Sequence, residues 1–182
     1  MAQAGFEMVR SADDFVILCR TAEDAQRALE IVRGWTTEAG LTLHPTKTQL
    51  VDSRTESFAF LGYEFRGSKH WPRDKSRAKL NDTLRSKTKR TSGESLRCII
   101  GKVNQSLVGW FAYFKHSSYA NVFTDHDGWL RMRLRSILRK RSGRRGRGRG
   151  SDHQTWTNRY FVEHGLFILK TAHASAVQSS RR

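Results

Sequence analysis

The stretch Val9-Arg10-Ser11-Ala12-Asp13-Asp14-Phe15-Val16-Ile17 sets two adjacent carboxylates between two β-prone runs. Phe6 to Arg10 and Phe15 to Cys19 have strand composition, and Ser11-Ala12-Asp13-Asp14 between them has turn chemistry. The stretch predicts a β-hairpin with Asp13 and Asp14 at its tip. Val9, Phe15, Val16 and Ile17 flank the pair, which suggests a hydrophobic setting. Like charges there stay ionised only with a cation or a dense set of donors. Magnesium, held by carboxylates together with substrate phosphates, meets that need. An ordinary Asp-Asp turn gives the same dipeptide, so its weight comes from the neighbouring strands and the basic sequence downstream.

Outward from the hairpin, Thr21 has the chemistry of a helix N-cap, with Glu23 and Asp24 in the first turn where the helix dipole favours negative charge. Ala25, Ala28/Leu29, Val32, Trp35 and Ala39 recur on one helical face, and Gly40 is the expected stop. Leu41, Leu43 and Thr48 to Asp52 suggest extended chain interrupted by Pro45. Phe58, Phe60, Tyr63 and Phe65 around Gly62 suggest a second short hairpin.

From Ser76 onward the pattern is helical. Ser76 to Arg90 is rich in basic residues and poor in apolar ones. Thr91-Ser92-Gly93-Glu94 matches a capping box. Behind it Leu96, Ile99/Ile100, Val103, Leu107, Trp110/Phe111 and Phe114 keep helical spacing, and their aromatic rings read as core. Asp125 or Asp127 can cap a further helix, Trp129 to Arg141, with Leu130, Leu134 and Ile137/Leu138 as its buried stripe. Arg131, Arg135 and Arg139 share another face of that helix and read as phosphate contacts. The expected fold class is α+β, with hairpins and one helix followed by an all-α bundle.

Charge divides the chain in the same way. The 182 residues carry 33 Lys+Arg and 17 Asp+Glu, a formal net charge of +16. Residues 1–65 hold 6 basic and 10 acidic side chains, whereas residues 66–150 hold 23 and 5. A segregated basic block suits a polyanion such as nucleic acid, because each neutralised phosphate releases condensed counterions. A solvated basic face without a specific partner is the bland alternative. Arg144-Arg145-Gly146-Arg147-Gly148-Arg149-Gly150 reads as a flexible RNA-contacting loop or a solubilising linker. Two cysteines exclude a disulfide framework and a Cys-rich zinc module, and the seven histidines lack metal-ligand spacing. No apolar run approaches the roughly 18 residues of a membrane span, and no secretory h-region opens the chain. These features predict a soluble, nucleic-acid-associated protein.

The hairpin stretch resembles the YADD-centred motif of group II intron-encoded reverse transcriptases. Gly40-Leu41-Thr42-Leu43-His44-Pro45-Thr46-Lys47-Thr48 is similar to their next palm motif, and Phe60-Leu61-Gly62-Tyr63-Glu64-Phe65 to the primer-grip hairpin that follows. Order and spacing both agree. Residues 80–150 resemble the maturase-specific domain X, which serves as the polymerase thumb, and Trp156, Asn158, Phe161 and Gly165-Leu166-Phe167 resemble the end of bacterial members. The resemblance implies the C-terminal part of a palm over residues 1–66, a thumb or maturase domain over 67–150, and a tail over 151–182 packed on the thumb.

The resemblance also implies roles. Asp13 becomes a magnesium ligand and Asp14 the second carboxylate. Lys47 becomes the palm lysine near the incoming triphosphate, its plain alternative being a surface lysine. Phe60, Leu61 and Gly62 would position the primer end. Lys87, Lys89, Arg90, Arg131, Arg135, Arg139, Arg144, Arg145 and Arg147 would contact nucleic acid. The implied partners are group II intron RNA, template–primer nucleic acid and a separate N-terminal reverse-transcriptase half, with no membrane. The implied setting is a cytoplasmic ribonucleoprotein, an organellar one being left open.

Departures from the family pattern shape the functional expectation. The family's third carboxylate and its fingers lie ahead of the hairpin, and twelve residues precede Asp13 here. Ser11 stands where the family has an aromatic ring. The reading expects a fragment that binds intron RNA, assists splicing and mobility, and does not polymerise DNA alone. A DNA endonuclease is discounted, because no C-x-x-C pair is present. Two further readings compete: a stand-alone RNA-binding, splicing-assisting module, and a non-specific polycation.

Overall fold

Glu7–Ser11 (β1) and Asp14–Leu18 (β2) pair antiparallel, with Ser11 opposite Asp14 and Glu7 opposite Leu18. The register leaves Ala12 and Asp13 as a two-residue turn, in which Ala12 takes φ +55°. This is the hairpin expected at the Asp-Asp pair. The computed structural model describes residues 5–146 and 150–180. The chain divides into two compact units, residues 1–68 and 69–182.

In the first unit, helix α1 (Ala22–Glu38) follows the hairpin. Thr21 caps it by accepting a hydrogen bond from the Asp24 N–H at 3.1 Å. Gly40, at φ +67°, ends it in a Schellman arrangement: Gly40 N–H donates to Thr37 and Leu41 N–H to Thr36. Of the expected apolar face, Ala28 and Val32 are buried, but Trp35 is 59% exposed. Residues 41–57 form turns and irregular chain, not the extended segment expected from Thr48 to Asp52. The chain turns at Pro45, where Lys47 and Thr48 N–H both donate to the His44 carbonyl. Phe58–Phe60 (β3) and Tyr63–Arg66 (β4) form the second hairpin, with Phe60 opposite Tyr63. Leu61 and Gly62 both have positive φ, +49° and +78°, which a type I′ turn requires. The Phe58 and Phe65 rings stack across it at 5.3 Å.

The second unit opens with β5 (Lys69–Pro72) and continues through α2 (Asp74–Lys87), α3 (Leu96–Phe114) and α4 (Asn121–Arg141). Three further helices follow, α5 (Gly150–Thr155), α6 (Asn158–Glu163) and α7 (Leu169–Ser179). The core takes Leu80 and Leu84 from α2, and Ile99, Ile100, Val103 and Leu107 from α3. Phe123, Leu130, Leu134 and Ile137 join from α4, and Phe161, Leu166 and Leu169 from the tail. The aromatic residues Trp110 and Phe111 pack against this core, as their spacing suggested.

Three sequence expectations are corrected here. The N-cap of α3 is Ser95, whose hydroxyl accepts from Cys98 N–H, so the apparent capping box one turn earlier is not used. Ser92 instead accepts from Glu94 N–H, and Glu94 pairs with Lys102. Helix α4 begins two turns before the expected start, which places Asp125 and Asp127 inside it. Asp127 caps a different helix: its carboxylate accepts from Leu169 and Lys170 N–H, both at 3.0 Å, at the start of α7. Among its described residues the tail forms three helices, where the sequence suggested one short helix and an extended piece.

Candidate nucleic-acid interface

The arginines that share one face of α4 do not form an open surface. Arg135 is 2% exposed. Its Nε donates to the Trp156 carbonyl and its Nη2 to Asn158 Oδ1, both at 2.8 Å, and its guanidinium lies 5.3 Å from the Phe161 ring centre. Arg139 pairs with the fully buried Asp152 at 2.7 Å and donates from Nε to the Arg145 carbonyl. Their donors hold α5, α6 and the preceding loop onto α4. The expectation that Arg135 and Arg139 contact phosphate is therefore corrected. An i, i+4 run of arginines looks like a solvated face until a later segment folds over it. Arg131, half-buried, completes the row.

Other tail residues are fixed in the same polar manner. Gly165, at φ +83°, ends α6, with Leu166 N–H donating to Phe161 and Gly165 N–H to Val162. The Asn104 side chain clasps this turn, donating to the Gly165 carbonyl at 2.7 Å and accepting from Phe167 N–H at 2.9 Å. Trp156, Asn158, Phe161 and Gly165-Leu166-Phe167 thus serve to seat the tail on α3 and α4.

Exposed cations are spread over the second unit, and two of them lie in the loop after α2. Lys89 and Arg90 are exposed. Lys87 reaches to α3, donating to the Lys102 carbonyl at 2.9 Å. Arg133, which the sequence reading did not single out, closes the end of α2: Nε donates to Thr88 Oγ1 at 2.7 Å and Nη2 to the Thr88 carbonyl at 3.0 Å. Thr88 is fully buried and donates its own hydroxyl to the Leu84 carbonyl at 2.6 Å. The Arg133 and Arg85 guanidiniums lie 5.2 and 5.6 Å from the Trp129 ring centre. Burial, and then the charge of Arg85, work against the charge of Arg133. An anion arriving here would favour the charged guanidinium and so oppose both effects. The signal in the sequence was the spacing Trp129, Arg133, Ser136, Lys140, beside the apolar stripe of α4.

Arg144 is exposed and lies 3.6 Å from Asp152, and the Arg145 carbonyl receives Arg139, so the start of the Arg-Gly run is tied to the bundle. Arg147 lies outside the described residues.

In the first unit the chemistry-bearing side chains are exposed. Asp13 and Asp14 sit at the hairpin tip in solvent, not in the hydrophobic setting their neighbours suggested, because both strands expose most of their side chains. Among the described residues no three His, Cys, Asp or Glu side chains gather into a metal-holding group. Arg10 Nε donates to the Ala12 carbonyl at 2.8 Å and braces the turn. Lys47 is exposed after Pro45, and Phe60, Leu61 and Gly62 form the tip of the second hairpin. Ala12 and Leu61 are the non-glycine residues with positive φ among those described, and each opens the turn of one of these hairpins. The backbone at both tips is thus held in a region that costs about 1–2 kcal/mol for a residue with a Cβ.

No helix among the described residues is long and apolar enough to cross a membrane. No curated protein matches the sequence. Residues 1–65 match the family of reverse transcriptases, RNA-dependent DNA polymerases, and residues 77–156 match the group II intron maturase-specific domain. With the two matches following one another along one chain, the protein belongs to the group II intron reverse transcriptase/maturase family, of which it carries a reverse-transcriptase segment followed by the maturase-specific domain.

Proposed function

We propose that the second unit binds group II intron RNA and assists its splicing, and that the first unit supplies the carboxylate hairpin of a reverse-transcriptase palm. The carrying observation is the separation of charge between the two units. Residues 1–68 hold 7 basic and 10 acidic side chains, whereas residues 69–182 hold 26 and 7. Much of that positive charge stays accessible even after Arg135 and Arg139 are withdrawn into the bundle. Contacts of this kind position a nucleic acid through its phosphates without reading bases. Intron structure would then be recognised by shape and by unpaired nucleotides.

Asp13 and Asp14 fit a magnesium ion that takes its other ligands from nucleotide phosphates and water. When bound, such an ion would neutralise charge on the transferred phosphoryl group. The two carboxylates alone make no closed site, and DNA synthesis in this reading also draws on the other parts of a reverse-transcriptase palm, its fingers and a template–primer. Lys47 would stand near the triphosphate, and the Phe60-Leu61-Gly62 tip near the primer end. The second reading, a stand-alone RNA-binding module that assists splicing, is favoured by the well-formed core of the second unit. It differs in one outcome, since Asp13→Asn would then be silent even with the fingers and remaining palm of a reverse transcriptase present.

RNA binding by the purified chain across a salt series tests the main reading. The probes are a structured group II intron domain, an unrelated structured RNA and duplex DNA. Preference for the intron domain at every salt concentration supports it. Equal binding to all three with the same salt slope would reduce the chain to a polycation.

A further inference from the structure

We propose that the cavity between the end of α2 and α4 receives one unpaired nucleotide of the bound RNA, an inference that rests on the RNA-binding reading. The cavity has a volume of about 430 Å³ and is lined by Thr88, Arg90, Trp129, Met132, Arg133 and Ser136. That is within the roughly 300–1,000 Å³ of ordinary ligand sites. Trp129 and Met132 give it an apolar wall, on which a base removed from its helix can shed water. Arg90, exposed on the loop, and Arg133 of α4, bonded to the end of α2, place positive charge at the same cavity. A base with its phosphate combines the same two properties, a flat apolar body and an anion. Unpaired bases are commonly held against aromatic rings and guanidinium planes.

The polar groups also indicate what this site discriminates. The Thr88 hydroxyl donates to Leu84 and accepts from Arg133. The Ser136 hydroxyl donates to the Met132 carbonyl. The Arg133 fork is engaged by Thr88 and by the Arg85 carbonyl. With these donors committed to backbone and side-chain acceptors, few remain to read a base edge. The site therefore separates unpaired from paired nucleotides more than it separates one base from another.

The test uses the whole chain and two RNA hairpins identical except for one bulged nucleotide, measured at matched salt. The bulged hairpin is expected to bind more tightly by roughly 5- to 150-fold, the range expected from stacking one base. Trp129→Leu should abolish that preference. Trp129 also packs against the core, so a second measurement needs no substitution. With 5-iodouridine at the bulge, irradiation of the unaltered protein should attach the RNA to a peptide containing Trp129 or Met132. Equal affinity for both hairpins, or attachment elsewhere, overturns the cavity proposal and leaves RNA binding by the unit standing. Failure to bind either hairpin overturns both.

Discussion

Among the described residues of the first unit, Phe6, Ala28 and Val32 are the buried apolar side chains, while Met8, Val9, Phe15, Leu18, Trp35 and Leu50 are exposed. In the second unit a continuous core runs through α2, α3, α4 and the tail, and even charged side chains are drawn into it. The two units thus put their characteristic residues to opposite uses. The first keeps its carboxylates and turn residues on hairpin tips, where they can meet a substrate but contribute little to stability. The second uses some of its arginines as internal fasteners and leaves others at the surface. Charge counted along a sequence therefore overstates the binding surface, because a guanidinium that holds a buried carboxylate is not available to a phosphate.

The largest effect that could break this contrast lies at Asp152. Removing it leaves Arg139 buried without its anion, which should cost about 3–5 kcal/mol. Chemical denaturation of Asp152→Ala should show that loss, whereas Asp13→Asn, at an exposed tip, should stay within about 0.5 kcal/mol of the parent. Comparable losses from both would remove the distinction between fastener and surface residues.

Acidification probes the same core. His126 is 3% exposed, donates from Nδ1 to Asn81 Oδ1 at 3.1 Å, and lies beside the Trp110 ring. Burial first, and then the charge of Arg77, pull its pKa from the ordinary 6.5 down to about 4, against a smaller opposing pull from Asp125. The unfolded chain therefore takes up the proton first as pH falls. Stability present above pH 6.5 should be lost progressively on the way to pH 4, by about 3 kcal/mol. Urea titrations of the parent and His126→Gln should converge across that window, because the variant lacks the titration.

A smaller effect is expected at Asp127, which holds the start of α7. Asp127→Asn loses one of two acceptors and should cost about 1–3 kcal/mol, with early loss of amide protection in α7. Smallest, and of opposite sign, is Gly128→Ala. A Cβ there meets nothing within 4 Å, so helix propensity should raise the stability of α4 by about 1 kcal/mol. A loss instead would show that the space beside Gly128 is filled in solution.

Both hairpins, α1 and the α3 stripe could be read from the sequence because their signals are local: alternation, a Thr N-cap, a glycine stop, apolar spacing of three and four. The interface was less legible. Arg131, Arg135 and Arg139 were chosen for their periodicity, and nothing local revealed that Asp152, Trp156 and Asn158 return to meet two of them. Arg133 was passed over because it lies between the apolar stripe and solvent, and its role depends on where α2 ends. Asp127 was misread for a similar reason, since a cap for a helix forty residues away has no local signature.

The most direct test of the account compares two kinds of arginine in one experiment. The doubly substituted Lys89→Gln, Arg90→Gln chain and the singly substituted Arg139→Gln chain would be measured for both stability and the salt dependence of RNA binding. The account predicts that the double variant keeps its stability and loses about 1 from the salt slope for each phosphate contact removed. It predicts that Arg139→Gln is destabilised but, at temperatures where it remains folded, keeps the parental slope. A reduced slope in folded Arg139→Gln, with an unchanged slope in the double variant, would contradict it.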